Sequence, residues 1–107
     1  MPKGKFIQTG KTIDYTNGGG ADVGYGDVVT ISARIGVAAE NIAVGATGSL
    51  NVSGVYELPA DNTAAFSVGD KVYWDGAKLT KTAGGVVAGW ITESKAQAGA
   101  VARVKID

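Results

Sequence analysis

Three residues near the amino terminus, Gly10-Lys11-Thr12, match the end of a phosphate-binding loop. Such a loop needs a second glycine five positions before Gly10, because successive backbone N–H groups must turn towards the phosphates. Lys5 occupies that position, and the nearest glycine is Gly4. The residues that follow Thr12 are β-branched and aromatic, which favours a strand over the helix that a phosphate site requires. The sequence therefore predicts a hairpin near the amino terminus and no nucleotide site.

Carboxylates are the remaining candidates for acid–base chemistry, because the chain contains neither histidine nor cysteine. The pairs closest in sequence are Asp22 with Asp27 and Asp61 with Asp70, and two carboxylates held in a cleft can hydrolyse glycosides. Each lies in a predicted turn, where aspartate commonly accepts hydrogen bonds from nearby backbone. The stretch DVGYGD supplies only the two ends of a calcium-binding loop. We therefore predict that the protein is not an enzyme and holds no metal or cofactor.

The charge balance argues against a polyanionic partner. Ten basic and ten acidic residues cancel, so no overall field would draw the protein to nucleic acid or to an anionic membrane. Lys3, Lys5 and Lys11 cluster near the amino terminus, but no row of aromatic residues accompanies them for base stacking. No segment has the apolar length of a signal peptide or a membrane span, so we expect a soluble chain outside the secretory route. The absence of cysteine fits a reducing compartment.

The elements that would position any site are predicted to be strands. Glycine accounts for 17 of 107 residues, which indicates frequent turns, and the length fits one domain over residues 1–107 with a polar arm at about residues 1–5. Alternation of apolar and polar residues predicts single strands at residues 29–37 and at residues 50–58, the second ended by Pro59. Further strand candidates are residues 86–92, residues 100–106 with Ala100 facing inward, and, more weakly, residues 6–8, 12–16 and 22–24.

The strongest local prediction is a tight hairpin at Asp75-Gly76, because this pair tolerates positive φ angles. Tyr73 and Trp74, in the strand before it, point to opposite faces, so one of them should stay partly exposed. Helix content should be small, with Asp61 capping at most a short helical turn near residues 61–66. Together these features predict a small, glycine-rich, all-β barrel or sandwich without an internal repeat.

Longer stretches of the chain resemble the cement, or capsid decoration, proteins of tailed phages, which were formerly labelled predicted recombinases. The most specific stretches are VYELP at Val55–Pro59 and GDKVYWD at Gly69–Asp75. The stretches FIQTGKTIDYT, GYGDVVTISARIGVA and GAVARVKID extend the resemblance over nearly the full length. The glycine run at residues 18–20 departs from the shorter opening turn that is common in the family, which affects the expected shape of the first hairpin.

The resemblance implies a structural virion protein that coats the exterior of an icosahedral capsid and bridges major capsid subunits after synthesis in the bacterial host cytoplasm. It also implies a homo-oligomer, with a trimer favoured over a dimer. A polar arm with an apolar anchor can order on a partner. Candidate contacts with the capsid or with other copies are Lys3, Lys5, Phe6, Tyr73 and Trp74. Two rival classes remain open, a phage tail or baseplate β-domain and a nucleotide-dependent recombination factor.

Overall fold

Nine strands and no helix make up the computed structural model, which describes residues 1–107. The strands form two antiparallel sheets that pack face to face and do not close into a barrel, which confirms the all-β prediction and identifies a sandwich. The first sheet, in the order β1-β4-β3-β2, contains β1 (Thr12–Thr16), β2 (Val28–Ile31), β3 (Arg34–Ala38) and β4 (Thr47–Asn51). The second, in the order β5-β9-β8-β6-β7, contains β5 (Val55–Pro59), β6 (Lys71–Trp74), β7 (Leu79–Thr80), β8 (Val86–Ile91) and β9 (Val101–Lys105).

The two sheets are built on the same plan, and the prediction that no internal repeat exists is therefore wrong. The order β1-β4-β3-β2 corresponds to β5-β9-β8-β6, and β7 is an addition at the edge of the second sheet. The first strand of each half pairs with the last in the same register, with Thr12 opposite Asn51 and Val55 opposite Lys105. The chain thus contains two structurally equivalent halves joined at residues 52–54.

A turn that leads into a strand recurs twice in each half. The four turns are residues 24–27, 43–46, 67–70 and 96–99. The residue before each turn forms an isolated bridge with its counterpart in the same half, Val23 with Ile42 and Phe66 with Lys95. Three of the four turns place glycine with positive φ at their third residue, as type II turns require. These glycines are Gly26 (φ 86°), Gly45 (φ 80°) and Gly69 (φ 92°). The stretches Gly26–Val29 and Gly69–Val72 share the pattern Gly-Asp-x-Val, which was the sequence signal of the repeat.

The core is asymmetric, although the two halves share one plan. The main cluster of 13 buried residues lies between the sheets, where Ile35 and Val37 of β3 pack over β8. A smaller cluster of four buried residues lies on the opposite face of the first sheet. Its members are Val29, Ala38, Ile42 and Leu50. The first sheet therefore buries apolar residues on both faces.

Two strands predicted as continuous are each divided in the structure. Residues 29–37 form the β2–β3 hairpin, in which Ile31 lies opposite Arg34 and Ser32, with φ 57°, begins a two-residue turn. Residues 50–58 are divided at Gly54, which has φ 109° and links β4 of one sheet to β5 of the other. Alternation could not reveal either break, because apolar residues continue at alternate positions on both sides of each turn.

The Asp75-Gly76 hairpin is confirmed, but its loop is longer than predicted. Trp74 pairs with Leu79, so residues 75–78 form the loop, and Gly76 has the expected positive φ of 101°. The Asp75 Oδ1 atom accepts hydrogen bonds from the backbone N–H groups of Ala77 and Lys78, both at 2.9 Å. These two bonds draw the predicted strand residues Ala77 and Lys78 into the loop.

The remaining strand predictions vary in accuracy. Residues 12–16 form β1 as predicted, residues 86–92 and 100–106 contain β8 and β9, and Ala100 is exposed and does not face inward. Residues 6–8 form no strand, and residues 22–24 contain a single bridge at Val23. Residues 61–66 form no helical turn. There Asp61 Oδ1 accepts a 2.9 Å hydrogen bond from the Thr63 N–H, which closes a short turn instead.

Candidate interaction surfaces

The aspartates selected as possible acid–base pairs each organise backbone. Asp27 Oδ2 accepts from the Gly24 N–H, and Asp70 Oδ2 accepts from the Ser67 N–H, both at 2.8 Å, as equivalent residues in the two halves. Asp22 Oδ1 accepts from the Val44 N–H at 3.0 Å. The hydrogen bond from Ser67, helped by the charge of Lys81, lowers the pKa of Asp70. A lowered pKa favours the carboxylate and is the opposite of what a general acid requires.

The segment around Gly10-Lys11-Thr12 leads into a strand. Thr12 begins β1, and the Lys11 carbonyl accepts a 2.9 Å hydrogen bond from the Val52 N–H at the end of β4. The equivalent bond in the second half runs from the Ile106 N–H to the Gly54 carbonyl, at 3.1 Å. The predicted strand after Thr12 is thus confirmed, but the predicted amino-terminal hairpin is wrong, because β1 pairs with the distant strand β4. Lys11 holds the place that Gly54 holds in the other half.

The amino-terminal arm comprises residues 1–10, all of which are exposed and outside any strand. It is therefore longer than the predicted residues 1–5. Phe6 is 81% exposed, and the neighbouring Ile7 is 77% exposed. Lys3 and Lys5 are exposed beside them. The arm thus presents two large apolar side chains and two cations away from the core.

Tyr73 and Trp74 lie on opposite faces of β6, as predicted. Trp74 is only 8% exposed and packs in the main core, so it offers little surface to a partner. Tyr73 is half-buried on the other face, where the Lys71 Nζ atom lies 5.6 Å from its ring centroid. Of the two aromatic residues, only Tyr73 presents a usable surface.

The outer face of the second sheet carries a patch that sequence reasoning missed. Trp90 in β8 is 40% exposed, and its cross-strand neighbours are Lys71 in β6 and Lys105 in β9. Val55 in β5, opposite Lys105, extends this row across four strands. We define the outer face by Val55, Lys71, Tyr73, Val87 and Trp90. A signal existed at Gly89, where the irregular pairing of β8 sets which residues face outward.

An apolar groove lies where residues packed against the smaller core cluster, Ile13, Ile31 and Val52, meet Ile35 and Ile106 of the main core. Its volume is about 390 Å³. Ile13, Ile31 and Val52 are only half-buried there. The groove is lined by Ile13, Ile31, Arg34, Ile35, Val52, Ile106 and Asp107. Apolar surface in a concave position is typical of a binding site.

Lys95 is a buried cation that was also missed. Its side chain reaches inward from the bridge with Phe66, and its Nζ atom lies 4.8 Å from the Phe66 ring centroid. The three N–H groups of Nζ are shared among the carbonyls of Ala64 (2.6 Å), Ala96 (2.9 Å), Gln97 (3.3 Å) and Gly99 (3.0 Å). These bonds join the loops at residues 60–65 and 96–100, so we assign Lys95 a structural role.

The comparisons give a family for this chain. A family model described as phage cement protein matches residues 7–106. Searches of curated proteins and of solved structures gave no match. The structure contains no helix that is long and apolar enough to cross a membrane, and no cluster of three or more acidic, histidine or cysteine residues suited to a metal ion.

Proposed function

The chain belongs to the phage cement protein family, and we propose that it binds the outer surface of a phage capsid and stabilises the shell by bridging major capsid subunits. Membership of this family makes it a phage structural protein and a component of the virion capsid. The match over residues 7–106 is the observation that carries the proposal, because it includes both halves of the sandwich.

The shape of the molecule supports attachment to a shell. Its Cα atoms, those of the arm included, span 42 × 42 × 22 Å, so the molecule is shallow in one direction. Bridging needs no chemistry. A protein that binds the mature shell more tightly than an immature or ruptured shell stabilises the mature state by mass action.

The amino-terminal arm is the proposed capsid contact. Lys3 and Lys5 provide positive charge. Phe6 provides an apolar anchor, because its side chain is exposed and belongs to neither core cluster. Ordering the arm on a capsid subunit would cost conformational entropy. The free energy gained by burying Phe6 would offset that cost. Many copies acting on one shell would make the summed effect large even where each contact is weak.

The direct test mixes the purified protein with undecorated mature capsids, immature capsids and purified tails of the same phage. We expect saturable, stoichiometric cosedimentation with mature capsids and weaker binding to immature ones. Binding to tails alone would support the rival function, a tail or baseplate domain. A third class, a nucleotide-dependent recombination factor, would be supported if ATP with magnesium raised the melting temperature.

A further inference from the structure

The contact between the two halves of the chain is head to tail. Val28, Ile35 and Val37, on one face of the first sheet, join the main core against the inner face of the second sheet. The inner-face residues include Tyr56, Trp74 and Ile106. One face of the first half therefore meets the opposite, non-equivalent face of the second half.

The equivalence of the halves identifies the counterparts of both faces. By strand register, Val28, Ile35 and Val37 correspond to Lys71, Val87 and Trp90 of the second half. Tyr56, Trp74 and Ile106 correspond to Ile13, Ile31 and Val52 of the first half, by the same comparison.

These two counterparts are the surfaces left uncovered in the single chain. The first set belongs to the outer face of the second sheet, where Trp90 is 40% exposed. The second set lines the apolar groove. Each copy thus carries two complementary surfaces, the outer face of the second sheet and the apolar groove. Neither surface has a partner within the chain.

Charge adds an independent argument. Val28 lines a second groove together with Glu57 and Leu58 of the edge strand β5. Glu57 corresponds to Asp14 in β1, and Val28 corresponds to Lys71. A repeated contact would therefore bring Lys71 of one copy near Asp14 of the next. Both side chains are exposed, and neither belongs to an ion pair within the chain.

The exposed area also exceeds that of a typical monomer. The chain exposes 6499 Å², whereas a monomer of 10.8 kDa is expected to expose about 5,500 Å². Its radius of gyration is 15.0 Å, against about 13 Å for a compact chain of this length. The arm contributes to both values, but the open outer face and groove provide surface that a second copy can bury.

We propose that the outer face of one copy docks into the apolar groove of a second copy, head to tail, and repeats between copies the contact that joins the two halves within one chain. Trp90 packs on Ile13, Ile31 and Val52 of the neighbour, and Lys71 pairs with the neighbour's Asp14. Because the two surfaces differ, the contact is heterologous and generates a ring or a filament rather than a twofold dimer. The proposal concerns self-association in solution and does not depend on capsid binding.

Cysteine cross-linking tests the geometry, and the chain has no cysteine to interfere. We expect an equimolar mixture of Lys71→Cys and Asp14→Cys proteins to form a disulfide-linked dimer under mild oxidation, while each variant alone does not. Glu57→Cys is the matched control, since Glu57 is the equivalent of Asp14 in the other half, and it should not cross-link with Lys71→Cys. Equal cross-linking of Lys71→Cys with itself would indicate a twofold interface and overturn the proposal.

Sedimentation equilibrium tests the energetics in chains shown to be folded by circular dichroism. Trp90→Ser should weaken association at least about tenfold, as expected for a central aromatic contact, whereas Val101→Ser, an exposed apolar residue elsewhere on the second sheet, should not. Lys71→Asp and Asp14→Lys should each weaken association, and their equimolar mixture should restore it in part. A chain that stays monomeric at its highest soluble concentration, or oligomers unaffected by Trp90→Ser, would overturn the proposal.

Discussion

Gly36 in β3 and Gly89 in β8 occupy equivalent positions in the two halves of the chain. Gly36 faces the backbone of β4, and Gly89 faces the backbone of β9. A Cβ atom on Gly36 would lie 3.3 Å from the backbone oxygen of Asn51, and one on Gly89 would overlap the backbone oxygen of Lys105. Asn51 and Lys105 are themselves equivalent. A close approach to the backbone thus recurs in both sheets, but it is tight at Gly36 and leaves no room for a Cβ atom only at Gly89.

Gly89→Ala should be the more damaging of the two substitutions. Gly89 has φ 149°, in addition to the overlap with Lys105. We expect a loss of about 3 kcal/mol or more. Gly36→Ala should cost less, about 1 kcal/mol, because only small shifts of Leu50 and Asn51 are needed. Urea unfolding measures both values, and equal losses would contradict the geometry described for Gly89.

Lys95→Met should destabilise the protein although methionine fits a buried site. The substitution removes the ammonium group that four backbone carbonyls surround, and losing hydrogen bonds to a charged group typically costs about 1.5–3 kcal/mol. Lys81→Met is the matched control, because Lys81 is exposed and pairs with Asp70 at 3.5 Å on the surface. We expect a clear fall in melting temperature for the first variant and little change for the second. Equal melting temperatures would show that the Lys95 bonds are dispensable.

The equivalent halves explain which parts of the structure could be predicted from the sequence. Strand β1 and the turn at Gly76 were predicted because their signals are local. The divided strands at residues 29–37 and 50–58 were not, because period-2 alternation continues through a short turn and carries no information about which sheet a residue joins. The repeat was obscured because β7 and its loops lengthen the second half.

The candidate surfaces were predicted less completely than the strands. Phe6 and the lysines of the arm were identified because a polar segment without core periodicity is visible in sequence. Trp90 was missed because Gly89 signals an irregular strand without showing which residues then face outward, and that is set by the pairing of β8 with β6. Lys95 was missed because a lysine is usually exposed, and only the fold brings four carbonyls around it.

Stability should fall in acid partly through Asp70. Its pKa is lowered in the folded state, mainly by the hydrogen bond from Ser67. The stabilisation is therefore present above the unfolded pKa of about 3.9 and is lost as the pH falls through the folded pKa. Asp70→Asn cannot titrate, so its unfolding midpoint should change less between pH 5 and pH 2 than that of the wild type. Identical pH profiles would show that Asp70 is not coupled to folding.

Deleting residues 1–5 should separate capsid binding from folding. These residues contribute nothing to either core cluster, so the melting temperature should be nearly unchanged. Affinity for capsids should fall, because Lys3 and Lys5 are removed and Phe6 becomes the chain terminus. Phe6→Ser in the full-length chain tests the apolar anchor alone. If both variants bind capsids with unchanged affinity, the capsid contact lies on the β-sandwich.

Thermal rupture of DNA-filled capsids is the most direct test of capsid stabilisation by this protein. Undecorated mature capsids are saturated with the purified protein, bound copies are confirmed by cosedimentation, and DNA release is followed with an impermeant fluorescent dye on heating. We predict that the rupture temperature rises with occupancy and reaches a plateau at saturation. An unchanged rupture temperature on fully decorated capsids would contradict a stabilising role.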